Sequence, residues 1–324
     1  MSNAPRGKLV TVFGGSGFVG RHVVRSLAKR GWRVRAAVRR PDLAEYLQPL
    51  GTVGQIQAIQ ANLRYRWSVD RAVQGADAVV NLVGILSESG AQSFSAVQDF
   101  GARAVTEASR NAGVSTFVHM SALGADPDSR AAYSRTKAAG EAAVRETIPE
   151  AVITRPSIIF GPEDAFFNKF ASMMRFSPVL PLIGGGETKF QPVFVGDVAE
   201  AIAQSVEGNV APGTVLELGG SEIKSFRDCL ELMLEITNRN RLLAPIPFGI
   251  AKPLGRLMQM VPGAPITADQ VELLKSDNVV SAQAQAEGRT LDGIGIVPQT
   301  LAAILPTYLW RFREHGQFER NRTA

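Results

Sequence analysis

The sequence predicts an α/β protein built on a doubly wound parallel sheet, with a smaller C-terminal lobe. From Lys8 to Phe160, short β-rich runs alternate with helical patterns, and the runs are apolar almost throughout. Strands covered on both faces by crossover helices need that continuous apolar character, whereas half-exposed strands alternate. After Gly161 the rhythm fails: prolines and glycines thicken, as in "FSPVLPLIGGGE", and the remaining strand patterns "QPVFV" and "TVLELGG" are irregularly spaced.

In order, the strands of the larger domain read "KLVTVFG", "RVRAAV", "QIQAIQA", "DAVVNLVG", "TFVHMSA" and "AVITRPSIIFG". The helical patterns between them are "GFVGRHVVRSLAKRG", "DLAEYLQPL", "SVDRAVQGA", "FSAVQDFGARAVTEASRNAGV" and "AYSRTKAAGEAAVRETI". Residues 1–160 are thus expected to form the larger domain, to which a strand at 190–197 and the helix after it return. Residues 161–324 form mainly the smaller lobe, ending in a helix and a polar tail.

At 324 residues with 45% apolar side chains, the chain can fill such a core. Its net charge of +5 is spread along the whole length, without the dense basic block that tracks a nucleic-acid backbone. Nucleic acid is therefore not an expected partner, while an anionic cofactor and an anionic membrane surface remain open. The single cysteine, Cys229, excludes an intramolecular disulfide and fits a reducing compartment; no metal cluster is expected. The first strand follows "MSNAPRG" too closely for a secretory signal, so the chain reads as cytoplasmic or already processed. The richest apolar segment, 242–262, is broken by prolines, Lys252 and Arg256, and does not read as a membrane span.

The most informative stretch is "TVFGGSGFVGRHVVRSL", where Gly14, Gly17 and Gly20 sit three residues apart as a strand gives way to a helix. Gly14 and Gly17 allow a tight turn and close approach to a pyrophosphate, and Gly20 allows the helix to pack on the strand. The loop Gly14, Gly15, Ser16, Gly17, Phe18 and Gly20 is the expected phosphate cradle, with the helix N-terminus supplying free N–H groups. At the end of the second strand an acidic residue would select the ribose 2′-OH. Here the chain reads Val38, Arg39, Arg40, so NADP(H) is expected over NAD(H). A merely solvated pair of arginines is the plainer alternative.

Tyr133 and Lys137 lie four apart in "AYSRTKAAGE", on one face of a helix. An ammonium near a phenol favours the phenolate, which makes Tyr133 a candidate proton donor with Lys137 lowering its pKa. The glycine spacing, "NLVG", this pair, "RPSIIFGPED" and "QPVFVGDVAEAI" together resemble the extended and atypical short-chain dehydrogenase/reductases, the NAD-dependent epimerase/dehydratase-like group of Rossmann proteins. In that superfamily the fifth strand ends in a serine followed by a second hydroxyl residue. "HMSALGA" instead places Ala122 at the second position, after Ser121.

The run from Pro149 to Ala201, with "PITADQVELLKSDNVV" and "GIGIVPQTLAAIL", is similar to the NADPH-holding accessory subunit of respiratory complex I (NADH:ubiquinone oxidoreductase) and its bacterial relatives. The resemblance implies a bound, structural cofactor and a peripheral place on the inner face of the membrane, among complex I subunits near the quinone site. It implies that the glycines hold the pyrophosphate, Arg39 the 2′-phosphate and Tyr133 with Lys137 the nicotinamide ribose, with Asn62 near the adenine; Arg40 and Leu63 are expected in the same cofactor-binding set. Val83, Gly84, Ser121 and Pro156 complete the cofactor-binding set. An active NADPH-dependent reductase or epimerase on a small or quinone-like hydrophobic substrate is the alternative reading.

Other residues carry plainer readings. Asp197 is expected to be a helix N-cap, and His22 and His119 to be packed or surface histidines. Glu163 and Asp164 are expected in a solvated turn. Segment 242–262 is expected to be amphipathic, facing lipid, a partner or its own core.

Overall fold

The computed structural model describes residues 7–90, 92–258 and 266–314. The chain divides into two units, each drawn from separated stretches of sequence. The first holds the segments ending at Pro156, Gly196–Leu218 and Ala282–Ile296; the second holds Ser157–Val195, Gly219–Ser281 and the segment from Val297 onward.

A seven-stranded parallel sheet organises the first unit. Its strands are β1 (Leu9–Phe13), β2 (Arg33–Val38), β3 (Ile56–Gln60), β4 (Ala78–Asn81), β5 (Thr116–Met120), β6 (Val152–Pro156) and the strand Val215–Leu218. The last of these lies outside β6, and the order runs on through β5, β4, β1, β2 and β3. The helices are α1 (Phe18–Lys29), α2 (Arg66–Val73), α3 (Phe100–Asn111) and α4 (Ala132–Thr147), together with Val195–Glu207. Between β1 and β4 the direction of winding reverses. In doubly wound sheets that switch point is where ligands enter, at the carboxyl ends of the strands.

Burial explains the helices. α1 turns Val19, Val23, Val24 and Leu27 inward at helical spacing, and the last three are fully buried. Each such side chain contributes roughly 1.5–3 kcal/mol. Gly31, at φ +82°, ends the helix as its N–H reaches the Ala28 carbonyl. Arg30 ties this face to the helix Val195–Glu207 through Glu200 and Glu207. On the opposite face Phe13, Val69, Val73, Val79, Val105, Phe117 and Val144 form one cluster.

Several expectations need correction. "DLAEYLQPL" forms two 3₁₀ turns, Pro41–Leu43 and Glu45–Leu50, since Pro49, inside the second, cannot donate the N–H that an α-helical ladder needs there. The long pattern from Phe94 opens as a π-turn, Ser95–Asp99, before α3 begins. The short strand Val193–Phe194 pairs with Ile159–Phe160 outside the large sheet; the strand that rejoins it is Val215–Leu218. Asp197 sits inside the first turn of the helix Val195–Glu207 and not at its cap, where its carboxylate still meets the positive helix end.

In the second unit an aromatic cluster of Phe160, Phe166, Phe167, Phe170, Phe190 and Phe226 forms the core, with edge-on ring contacts. Asp164 is buried there, contrary to a solvated turn. Its carboxylate accepts from the backbone N–H groups of Gly161, Phe166 and Asn168 and from the Tyr308 hydroxyl, and it is this saturation that lets the chain bury it. Glu163 is exposed. Within segment 242–262, residues 259–262 lie outside the described residues, as does the tail from 315.

Gly140 lets α4 touch the π-turn, since a methyl group there would lie 2.3 Å from the Gln98 carbonyl oxygen. Gly140→Ala is therefore expected to cost about 1–3 kcal/mol by overpacking, against roughly 1 kcal/mol that alanine returns as a better helix former. A lower urea midpoint with unchanged slope is the expected result.

Candidate functional site

The glycine loop is fixed by backbone geometry. Gly14, at φ +80°, donates its N–H to the Ala37 carbonyl at 3.0 Å, and the Gly17 N–H returns to the Gly14 carbonyl at 2.9 Å. A methyl group on Gly20 would lie 2.1 Å from the Gly14 oxygen and 2.8 Å from Gly15 backbone atoms. Only glycine permits α1 to start this close. Gly17 caps α1 without a side-chain hydrogen bond, and Phe18 opens the helix with its ring edge-on to His22, so the first N–H groups of the helix are not taken by a capping side chain.

From this loop one line of contacts runs along the carboxyl ends of the strands. A methyl group on Gly14 would touch Val83 at 3.5 Å, and Val83 N–H is turned by the Asn81 side chain at 3.2 Å. The next residue, Gly84, faces Lys137: a methyl group there would lie 3.2 Å from Nζ. Thus Gly14, Val83, Gly84 and Lys137 border one crevice at the β1–β4 switch point. Pro156 is buried at the end of β6, where its carbonyl accepts from Leu123 N–H.

α4 carries Tyr133 and Lys137 into that crevice and is held there by groups that the sequence pattern did not mark. Glu141, one turn beyond Lys137, receives both prongs of the Arg155 guanidinium at 2.8 and 2.6 Å, pinning α4 to β6. Gln98 of the π-turn accepts from Thr136 and donates to the Ile85 carbonyl, and Phe94 packs edge-on against the Tyr133 ring at 5.9 Å. The i, i+4 spacing of Lys137 and Glu141 is the one sequence signal that could have found part of this set.

The electrostatics differ from expectation. Lys137 is 4% exposed, and burial, partly opposed by Glu141, lowers its pKa to about 8; its Nζ donates to the Met120 carbonyl at 3.1 Å. Burial pushes Tyr133 up to about 12, so Lys137 does not draw the phenol towards phenolate here and Tyr133 stands as a neutral donor. His119 is 2% exposed, lowered to about 3 by burial and then by Lys137, and its Nδ1 faces the Asn81 amide. Ser121 Oγ is equally buried, without a hydrogen-bond partner among the described residues. Ala122, after it, carries no hydroxyl.

On the far side of the loop, Arg39 is exposed without an ion partner among the described residues, whereas Arg40 is paired with Asp42 at 2.6 Å. The Asn62 side-chain oxygen is occupied by the Arg64 N–H, in a turn closed by Ser68, and Leu63 packs against Gly101 of α3. Among the described residues no group of three metal-ligating side chains gathers, and no helix is long and apolar enough to cross a membrane.

The family model described as the NAD dependent epimerase/dehydratase family matches residues 10–219. The chain belongs to that family. Over 96% of its length this member is 32% identical to the mitochondrial NADH dehydrogenase (ubiquinone) 1 alpha subcomplex subunit 9 of Arabidopsis thaliana, of which it covers 79%. It is 36% identical to a ceramide reductase of Caulobacter vibrioides over 56% of each chain. Its fold is like that of the NADPH-dependent quinone oxidoreductase QOR2 of Escherichia coli, with a TM-score of 0.71 at 20% identity, over 91% of this chain and 97% of that one.

The buried ammonium yields a pH test. Between about pH 8 and 10.5 the unfolded chain holds a proton at Lys137 that the folded chain has released, so stability rises with pH across that window; below it the full burial cost is present. Lys137→Met is expected to stabilise the ligand-free protein by about 2–3 kcal/mol near neutral pH, an advantage that shrinks towards about pH 10. Urea unfolding of both proteins across this range measures it.

Proposed function

We propose that this chain is an NADPH-holding accessory or assembly subunit of respiratory complex I, in which the nucleotide stabilises the fold and hydride transfer is not required. The observation that carries the reading is a crevice that is costly when it stands alone. Lys137 is a buried ammonium, and Ser121 presents a buried hydroxyl without a partner among the described residues, yet both border the same strand ends as a glycine loop built for phosphate. A polar ligand relieves those costs by supplying hydrogen-bonding groups. The similarity to the plant complex I subunit over nearly the whole chain supports the assembly.

In this reading the residues divide the ligand among them. Gly14, Gly15, Ser16, Gly17, Phe18 and Gly20 take the pyrophosphate. Arg39, exposed and without an ion partner among the described residues, takes the 2′-phosphate in preference to Arg40, which Asp42 already holds. Tyr133 and Lys137 hold the nicotinamide ribose, with Ser121, Pro156, Val83 and Gly84 around the nicotinamide. The bound dinucleotide would supply a hydride donor, but the chain's own groups are arranged for holding: the Lys137 ammonium is engaged by a backbone carbonyl, and Ala122 offers no hydroxyl to polarise a substrate. Binding the folded state alone adds about 2.7 kcal/mol of stability at one hundred times Kd.

The helix Phe248–Met258 supports a peripheral seat on an anionic membrane surface. Ile250, Leu254 and Leu257 are exposed at i, i+4 and i+7 with the exposed Arg256 beside them, while Lys252 is paired with Glu272.

The test is to solubilise native membranes in mild detergent, capture the protein through a tag at Ala324, and identify its companions and its extracted nucleotide. Stoichiometric complex I subunits with NADPH are expected, and Tyr133→Phe should retain both. Recovery of the protein alone in the soluble fraction would overturn the proposal and leave Tyr133 as the proton donor of a reductase.

A further inference from the structure

We infer that Tyr46 is a positioning residue for the nucleotide, locking a peptide of the glycine loop that could turn against an anion; this rests on the nucleotide reading above. The Ser16–Gly17 peptide is held at both ends. Its N–H donates to the Gly14 carbonyl at 2.9 Å, and its carbonyl accepts from the Tyr46 hydroxyl at 2.5 Å. Peptides next to glycine flip readily, because glycine lacks the Cβ that would resist the change. A flip here would swing a carbonyl dipole towards the mouth of the loop, where the N–H groups at the start of α1 are to meet phosphate, and would set like charge against like. Without Tyr46 the Ser16 carbonyl has no other hydrogen-bond donor among the described residues to keep it turned away.

Tyr46 is itself held in place. It lies in the 3₁₀ turn Glu45–Leu50, which fully buried Leu47 anchors, and the Arg21 guanidinium of α1 stacks over its ring at 5.0 Å with one nitrogen 3.5 Å from the hydroxyl. The same turn follows Arg39 and Arg40. The phenol therefore couples the segment that meets the 2′-phosphate to the loop that meets the pyrophosphate. Since 44% of Tyr46 is exposed, its hydroxyl is not placed by core packing.

The experiment compares NADPH binding to the full-length protein and to Tyr46→Phe by stopped-flow fluorescence and calorimetry. Loss of one hydrogen bond that selects the competent peptide orientation should weaken binding about tenfold. The loss should fall on the association rate, with dissociation unchanged, because only the competent fraction of the free protein is reduced. Tyr46→Ala, which also removes the seat of Arg21, should weaken binding further. A merely structural role would lower the melting temperature of the ligand-free variant and leave the rate constants alone; that pattern, or equal affinity in Tyr46→Phe, would overturn the inference. If the wild-type protein takes up no NADPH, the nucleotide reading itself fails and this inference falls with it.

Discussion

The site depends on a contact that admits no side chain: the Cα of Gly20 against the carbonyl of Gly14. Because a methyl group would overlap that oxygen, α1 can begin where it does only if its third residue is glycine. The loop is thereby drawn against Val83, and the β4 outlet in turn against Lys137. Steric exclusion along this line decides the shape of the crevice before any polar interaction is counted. Hydrophobic burial by Val23, Val24 and Leu27 then holds α1 in place from behind.

Polar groups in the crevice are not arranged for maximum stability. Glu141 and Arg155 form a fork that satisfies both partners and fixes α4, yet the helix they fix carries a lysine out of water. His119 is kept neutral chiefly by its burial, and then by Lys137, beside which a second positive charge would be costlier still. Such frustration, gathered where α4 meets the end of β5, is the physical mark of a surface shaped for something other than the protein itself.

How much was readable in advance divides along the same physics. β2 and α4 lie within a residue of where periodicity puts them, and the doubly wound sheet follows from continuous apolar strands. The glycines could be read because positive φ and close backbone approach demand that residue type. The π-turn before α3 and the burial of Asp164 were not readable, since each depends on partners distant in sequence, whereas the 3₁₀ turn that holds Pro49 could have been read from the proline itself. Tyr46, Gln98 and Arg155 escaped for the same reason: their types are unremarkable, and only the fold brings them to Ser16, Thr136 and Glu141. The Tyr133–Lys137 pair was visible from spacing, but its charge state was not, because desolvation belongs to the folded environment.

The first unit is assembled from three separated stretches of chain, two of which supply its sheet. Its outermost strand, Val215–Leu218, arrives after an excursion through the second unit, and Arg289 then closes on that strand through the carbonyl of Val215 and the N–H of Glu217. A ribosome moving along this message therefore cannot release a finished nucleotide domain early: β6 keeps an open edge until residue 218 has emerged, and the last segment follows only near residue 296. Domains that fold as contiguous units can mature while synthesis continues. This one must wait for almost the whole chain, and until Val215–Leu218 arrives the edge of β6 is open to pairing with another strand.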